Sequence, residues 1–287
     1  MRAADWLKSQ VQTWVDRQLD SSFGPAFRAK LKALPTRQNE YGYDPFGFHR
    51  DDAKVAALIA RFFYSYWFRV EAHGVDRVPN GRVLLVSNHS GQLPFDGIGI
   101  AGAMLFEHDP PRIIRAMVEK YVQTLPFVSY WFARWGQITG TPENCKRLLD
   151  DGEAILVFPE GVKGIAKPFT QKYQLQDFGL GFMRLALETQ APVVPVAVIG
   201  AEEQIPAVNL KPLAKLLNAP AVPLNIAPPF LPIPYPVKYR IYFGEPLQFD
   251  GDPDDEDEVL EEKVKRVKAE IRSMIRIGLK ERKHIFW

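Results

Sequence analysis

Three apolar runs, Val83–Val86, Ala154–Phe158 and Val193–Ile199, constrain this chain most. Each is short and ends in polar or turn-forming residues, the pattern of a buried strand. Shorter strand patterns read at Val70–Val75, Arg112–Val118, Gln137–Thr139 and Val237–Phe243. Helical patterns fall between them: Gly97–Phe106, Tyr121–Trp135, Pro142–Asp150 with proline in its first turn, and Gly179–Glu188. Strands alternating with helices imply an α/β fold with a mixed, largely parallel central sheet flanked by helices.

The flanks read differently. Residues 1–30 suit an amphipathic helix and its exit, with Trp6, Leu7, Val11, Trp14, Val15 and Leu19 on one face. Residues 35–50 are a loop rich in glycine, proline and aromatics, and Asp51 can cap a second helix running to Phe68. Residues 205–236 hold many of the 24 prolines in a long apolar excursion. Residues 250–258 are an acidic start for a last helix carrying Leu260, Val264, Val267, Ile271, Met274 and Gly278. Packing on the domain is the expected use of that stripe. The expected division is a helical region at 1–69, an α/β domain at 70–250 and an amphipathic helix at 251–287.

Composition mainly excludes. A net charge of +2 on 287 residues gives no argument for nucleic acid. The single cysteine, Cys145, rules out an intramolecular disulfide and a multi-cysteine zinc site, and is expected to be a buried thiol. His49, His73, His108 and His284 are scattered, so no metal site is expected. The N-terminus lacks the apolar core of a secretory signal, and no stretch reaches the roughly 18 apolar residues of a membrane span, the nearest, Val55 to Phe68, being short and containing Arg61.

Two turns carry chemistry. After Val83–Val86 the chain reads Asn88, His89, Ser90 and, further on, Asp96. A histidine at the end of a buried strand stands where ligands bind in open α/β sheets. Its ordinary pKa suits general-base work, and a carboxylate on the second ring nitrogen would fix the tautomer. Read alone, these residues equally fit a loop histidine followed by a helix N-cap. A Ser90 nucleophile would need a Gly-x-Ser-x-Gly elbow, which is absent. The second turn is Pro159, Glu160, Gly161 and Lys163, again after a buried strand. Gly161 permits a backbone closed to other residues, exposed N–H groups there can cradle an anion, and Lys163 adds a cation. A plain surface turn is the alternative.

Together these motifs resemble the glycerol-phosphate and lysophospholipid acyltransferase family over roughly residues 70–250. Asn88, His89 and Asp96 match its first motif, with six residues between His and Asp where the family has four. Phe158 to Gly164 resembles its Phe-Pro-Glu-Gly-Thr-Arg-Ser motif, and Val194-Pro195-Val196 its Val-Pro-Val strand. Lys120 resembles the lysine between the first two motifs. The second motif departs: Gly136 to Pro142 contains no arginine, and Lys146 and Arg147 are the nearest substitutes.

The resemblance implies one-step transfer of a fatty acyl group from acyl-CoA or acyl carrier protein to a hydroxyl of a glycerolipid or lysophospholipid. His89 would be general base and Asp96 its orienting carboxylate. Asn88, Ser90, Lys120, Pro159, Glu160, Gly161 and Lys163 would bind substrate. No cofactor is implied beyond the acyl donor. Partners would be the lipid acceptor, a membrane surface and, as a further expectation, a second copy in a homodimer. Localisation would be cytoplasmic and peripheral to a membrane. The rivals are a lipid- or phosphate-binding protein of the same fold and a hydrolase of acyl thioesters or lipids.

Overall fold

The computed structural model describes residues 3–24, 27, 29, 38–89, 93–165, 167–209, 223–225 and 234–287. Its centre is a seven-stranded sheet in the order β1-β9-β6-β2-β5-β3-β4. These strands are β1 (Glu71–His73), β2 (Val83–Ser87), β3 (Ile114–Val118), β4 (Ile138–Thr139), β5 (Ala154–Val157), β6 (Val193–Ile199) and β9 (Arg240–Phe243). Strands β2 to β6 run parallel, β9 is antiparallel to β6, and β1 is parallel to β9. The sheet is therefore mixed and largely parallel, as expected; the alternation accounts for the parallel strands and not for antiparallel β9. Strands β7 (Ala207–Asn209) and β8 (Pro223–Asn225) form a separate antiparallel pair within the proline-rich excursion. The rest of that excursion, 210–222 and 226–233, lies outside the described residues.

Every residue of β2 and β6 is buried, because both sheet faces are covered. Alternate residues point to opposite faces. Leu84, Val86, Ile155, Val193 and Ala197 pack under α5 (Pro142–Asp150), α7 (Gly181–Thr189) and α8 (Asp257–Glu281). Val83, Leu85, Leu156, Val194 and Val196 face α3 (Phe95–Phe106) and the aromatic segment Phe62–Trp67. Thr141 caps α5, its hydroxyl accepting from the Asn144 N–H at 3.3 Å with Pro142 in the first turn.

Three expectations change. Tyr121–Trp135 is not one helix. A 3-10 turn covers Lys120–Thr124, and α4 covers Val128–Arg134. Pro126 makes the break: Leu125 before it is extended, and Phe127 after it has φ +64°. The second helix is α2, Arg50–Arg61, which widens into a π-helical segment before Phe68. The single apolar face expected of α1 (Ala3–Phe23) splits. Val15 and Leu19 are buried beside Ala57 of α2, while Trp6, Val11 and Trp14 are exposed. The stripe on α8 packs on the domain as expected, across β6. Cys145 is buried, and burial pushes its thiol up to about 11, so it is no nucleophile near neutrality.

Candidate active site

Because β2, β3, β5 and β6 run parallel, their C-terminal ends share one sheet edge. That edge gathers Asn88 and His89 after β2, Glu119 and Lys120 after β3, Phe158 to Gly161 after β5, and Glu202 after β6. Residues distant in sequence meet there.

His89 and Asp96 form a bonded pair. The histidine Nδ1 lies 2.7 Å from Asp96 Oδ2. An ionised carboxylate only accepts, so Nδ1 is the donor, and in the neutral ring Nε2 keeps its lone pair. Asp96 is fully buried in the first turn of α3, where the helix dipole favours a negative charge. Its other oxygen accepts the Gly97 N–H at 2.7 Å. The His89 ring is 15% exposed, so it is reachable while its partner is sealed. Phe158 stacks on it, with centroids 4.1 Å apart and planes at 22°. Below them lies Tyr239, fully buried. Burial first, and the nearby Asp96 charge second, push its phenol well above the ordinary value. Tyr239 binds Gln204, whose side chain also donates to the Leu93 carbonyl at 3.3 Å, tying down the segment that enters Asp96.

Glu160 is buried beside this pair. One oxygen accepts the His89 backbone N–H at 3.0 Å, and the other accepts the Gln176 N–H at 2.7 Å. Its carboxylate therefore braces the backbone of the histidine. Gly161 has φ +54°, and its N–H donates to the Phe158 carbonyl at 2.9 Å, closing the turn. The Pro159 carbonyl accepts from Gly179 at 3.0 Å. A Cβ on Gly161 would lie 3.5 Å from a Glu119 carboxylate oxygen, so a negative charge borders the turn.

Asn88 is buried, with both polar ends of its amide on Val198. It donates to that carbonyl at 3.0 Å and accepts the N–H at 2.8 Å, locking β2 to β6 directly below His89. Lys163 is exposed in α6 (Val162–Ile165), and Lys120 is exposed where the chain leaves β3. Ser90 lies outside the described residues. The two substitutes for the missing second-motif arginine are engaged elsewhere: Lys146 pairs with Glu188 at 2.8 Å, and Arg147 lies over the Phe46 ring. Among the described residues no cluster of His, Cys, Asp or Glu could hold a metal.

Sequence reasoning gave no site role to four participants. Lys167 is buried between Glu160 and Glu202. Gly164 is crowded: a Cβ there would fall 2.9 Å from Glu160 Cβ and 3.0 Å from His89 Cβ. Phe158 supplies the stacking ring. Glu202 had one available signal, since it too directly follows a buried strand. Lys167 had none, being four residues beyond the lysine that fits the motif.

Comparison with known proteins agrees with the geometry. Residues 69–199 match the Acyltransferase family model. An uncharacterized protein of Mycobacterium tuberculosis is 41% identical over 216 residues, covering 73% of this chain and 59% of that one. The chain thus spans under two thirds of the length of these mycobacterial relatives. The human DGAT1/2-independent enzyme synthesizing storage lipids is 25% identical over 214 residues, covering 74% of this chain and 63% of that enzyme. The crystal structure of the 1-acyl-sn-glycerophosphate (LPA) acyltransferase PlsC from Thermotoga maritima superposes with a TM-score of 0.53 at 16% identity, covering 97% of this chain and 98% of that one, which shows a shared fold. Residues 69–199, the part of the α/β domain that carries His89, Asp96 and Glu160, thus match the acyltransferase family.

Proposed function

We propose that this protein transfers a fatty acyl group from an acyl thioester, acyl-CoA or acyl carrier protein, to a hydroxyl of a glycerolipid or lysophospholipid. The observation that carries the reading is the His89–Asp96 pair at 2.7 Å, its histidine ring 15% exposed at the sheet edge of a domain that matches the acyltransferase family. His89 Nε2 takes the hydroxyl proton as oxygen attacks the thioester carbonyl. Asp96 holds the ring and stabilises the imidazolium that forms. Collapse of the tetrahedral intermediate expels the thiolate, and the imidazolium proton leaves with it as thiol. No acyl-enzyme is required.

Two observations favour a neutral acceptor such as diacylglycerol over a phosphorylated one. The second motif has no arginine, and Glu119 places a carboxylate beside the Gly161 turn, where a phosphate would be repelled. Exposed Lys120 and Lys163 point the other way. A lipid acceptor also implies work at a membrane surface. No helix among the described residues is long and apolar enough to cross a membrane. Exposed aromatics instead stand on α1 (Trp6, Trp14), on the π-helical segment (Phe62, Tyr66) and near α4 (Phe127, Tyr130, Trp131). Tyrosine and tryptophan suit the bilayer boundary.

The test is thiol release from acyl-CoA by purified protein, with lysophosphatidate, with diacylglycerol and with no acceptor. Acceptor-dependent release supports the transferase. Release without acceptor would make the protein a hydrolase, and none with either acceptor would leave a binding protein. A Lys163→Ala variant separates the acceptors: KM rises for lysophosphatidate alone if the lysine meets a phosphate.

A further inference from the structure

The His89–Asp96 pair leaves the lysine behind it unused. The Lys167 side chain is 4% exposed, between the Glu160 side chain at 0% and Glu202 at 6%. Its ammonium lies 3.4 Å from Glu160 Oε2 and 3.1 Å from Glu202 Oε1, and it donates to the Gln174 carbonyl at 3.3 Å. Glu202 is anchored in turn by the Tyr173 N–H at 2.7 Å. Burial raises the Glu202 pKa, while the Lys167 charge and the Tyr173 N–H oppose the rise and the Glu160 charge adds to it. Two carboxylates and one cation thus form a sealed row. The far end of that row is the Glu160 oxygen that accepts the His89 N–H.

Without its cation the row would hold two like charges in a dry site. One carboxylate would take a proton or the two would separate. Either change reaches His89, because Glu160 fixes its backbone while Asp96 fixes its ring. Gly164 transmits the same displacement, since Glu160 and His89 both close on it.

We propose that Lys167, held in place by Glu202, is a positioning residue for acyl transfer: it holds Glu160 in register so that Glu160 fixes His89 against the substrate. The inference rests on His89 being the general base. Lys167 touches no substrate, so its loss should be read in kcat far more than in KM.

The experiment measures kcat and the KM for acyl-CoA, with thermal unfolding, in Lys167→Met, Lys167→Arg and the double variant Lys167→Met/Glu202→Gln. His89→Ala is the control. Lys167→Met should lower kcat about tenfold or more with KM changed less than about threefold. Lys167→Arg should regain part of the rate by restoring the cation. The double variant should also exceed Lys167→Met, because removing one carboxylate relieves the repulsion on Glu160. A folded Lys167→Met protein with wild-type kcat, or a double variant no faster than the single one, overturns the proposal. If both methionine variants fail to fold, Glu202→Gln decides: a fall in kcat at constant KM supports the positioning role, and no change or an equal change in both assigns the cluster to folding alone. Wild-type rates in His89→Ala would instead overturn the proposed function, so the two failures are distinguishable.

Discussion

At the scale of single residues, Asp96 shows how a longer gap is closed. Six residues separate it from His89. Yet α3 begins at Phe95 rather than Gly97, which turns Asp96 inward in the first helical turn, onto the ring. Gly164 is the tightest residue of the site. Its substitution by alanine would drive a Cβ to 2.9 Å from Glu160 and 3.0 Å from His89, closer than side-chain carbons normally come. Displacing a reacting group by a fraction of an ångström to an ångström costs up to about 100-fold in rate. Gly164→Ala should therefore lower kcat about 10- to 100-fold with modest change in melting temperature. Steady-state kinetics beside thermal unfolding check this, and an unchanged kcat would contradict the crowding. His89 and Glu160 were legible in the sequence because each comes just after a buried strand, and Asp96 because it is the first carboxylate downstream of His89. The bracing role of Glu160 was not, since only the folded chain brings its oxygens to the N–H groups of His89 and Gln176. Buried Lys167 was hidden for the same reason: nothing local distinguishes a sealed lysine from an exposed one.

At the scale of elements, α8 closes one sheet face and clamps the site from behind. Gly278 lets it approach: a Cβ there would stand 2.2 Å from Ile199 and 2.7 Å from the Tyr242 ring. Arg282, just past the helix end, holds Glu203 with bonds of 2.7 and 2.9 Å, next to the Glu202 that anchors Lys167. Gly278→Ala should cost about 1–3 kcal/mol of stability through overpacking. Denaturant unfolding reads it directly, and a variant as stable as wild type would mean that the helix can shift outward freely. The helix and its stripe were visible in the heptad-like spacing, and the central strands in their unbroken apolar runs. The interruption before α4 was missed because the aromatic-rich stretch looks helical throughout, although Pro126 stood there to break it. The antiparallel course of β9 was likewise invisible, because strand direction depends on the path of the long excursion before it.

For the whole molecule, the exposed aromatics imply a surface that water alone does not satisfy. Val15 and Leu19 face α2, whereas Trp6 and Trp14 face outward, so truncating the tryptophans removes surface contacts and leaves the α1–α2 packing intact. Wild-type protein should sediment with anionic vesicles and release partly at high salt. A Trp6→Ala/Trp14→Ala variant should sediment less, with unchanged melting temperature. Loss of a dimer in that variant, seen by light scattering without vesicles, would assign the same aromatics to a second copy instead. The proposed acyl transfer turns on one atom, Nε2 of His89. Its most direct test is acceptor-dependent thiol release by His89→Ala, with the fold and acyl-CoA binding confirmed in parallel. The geometry predicts a fall of about 100-fold or more in kcat with donor binding retained. A folded His89→Ala protein that transfers acyl groups at the wild-type rate would contradict it.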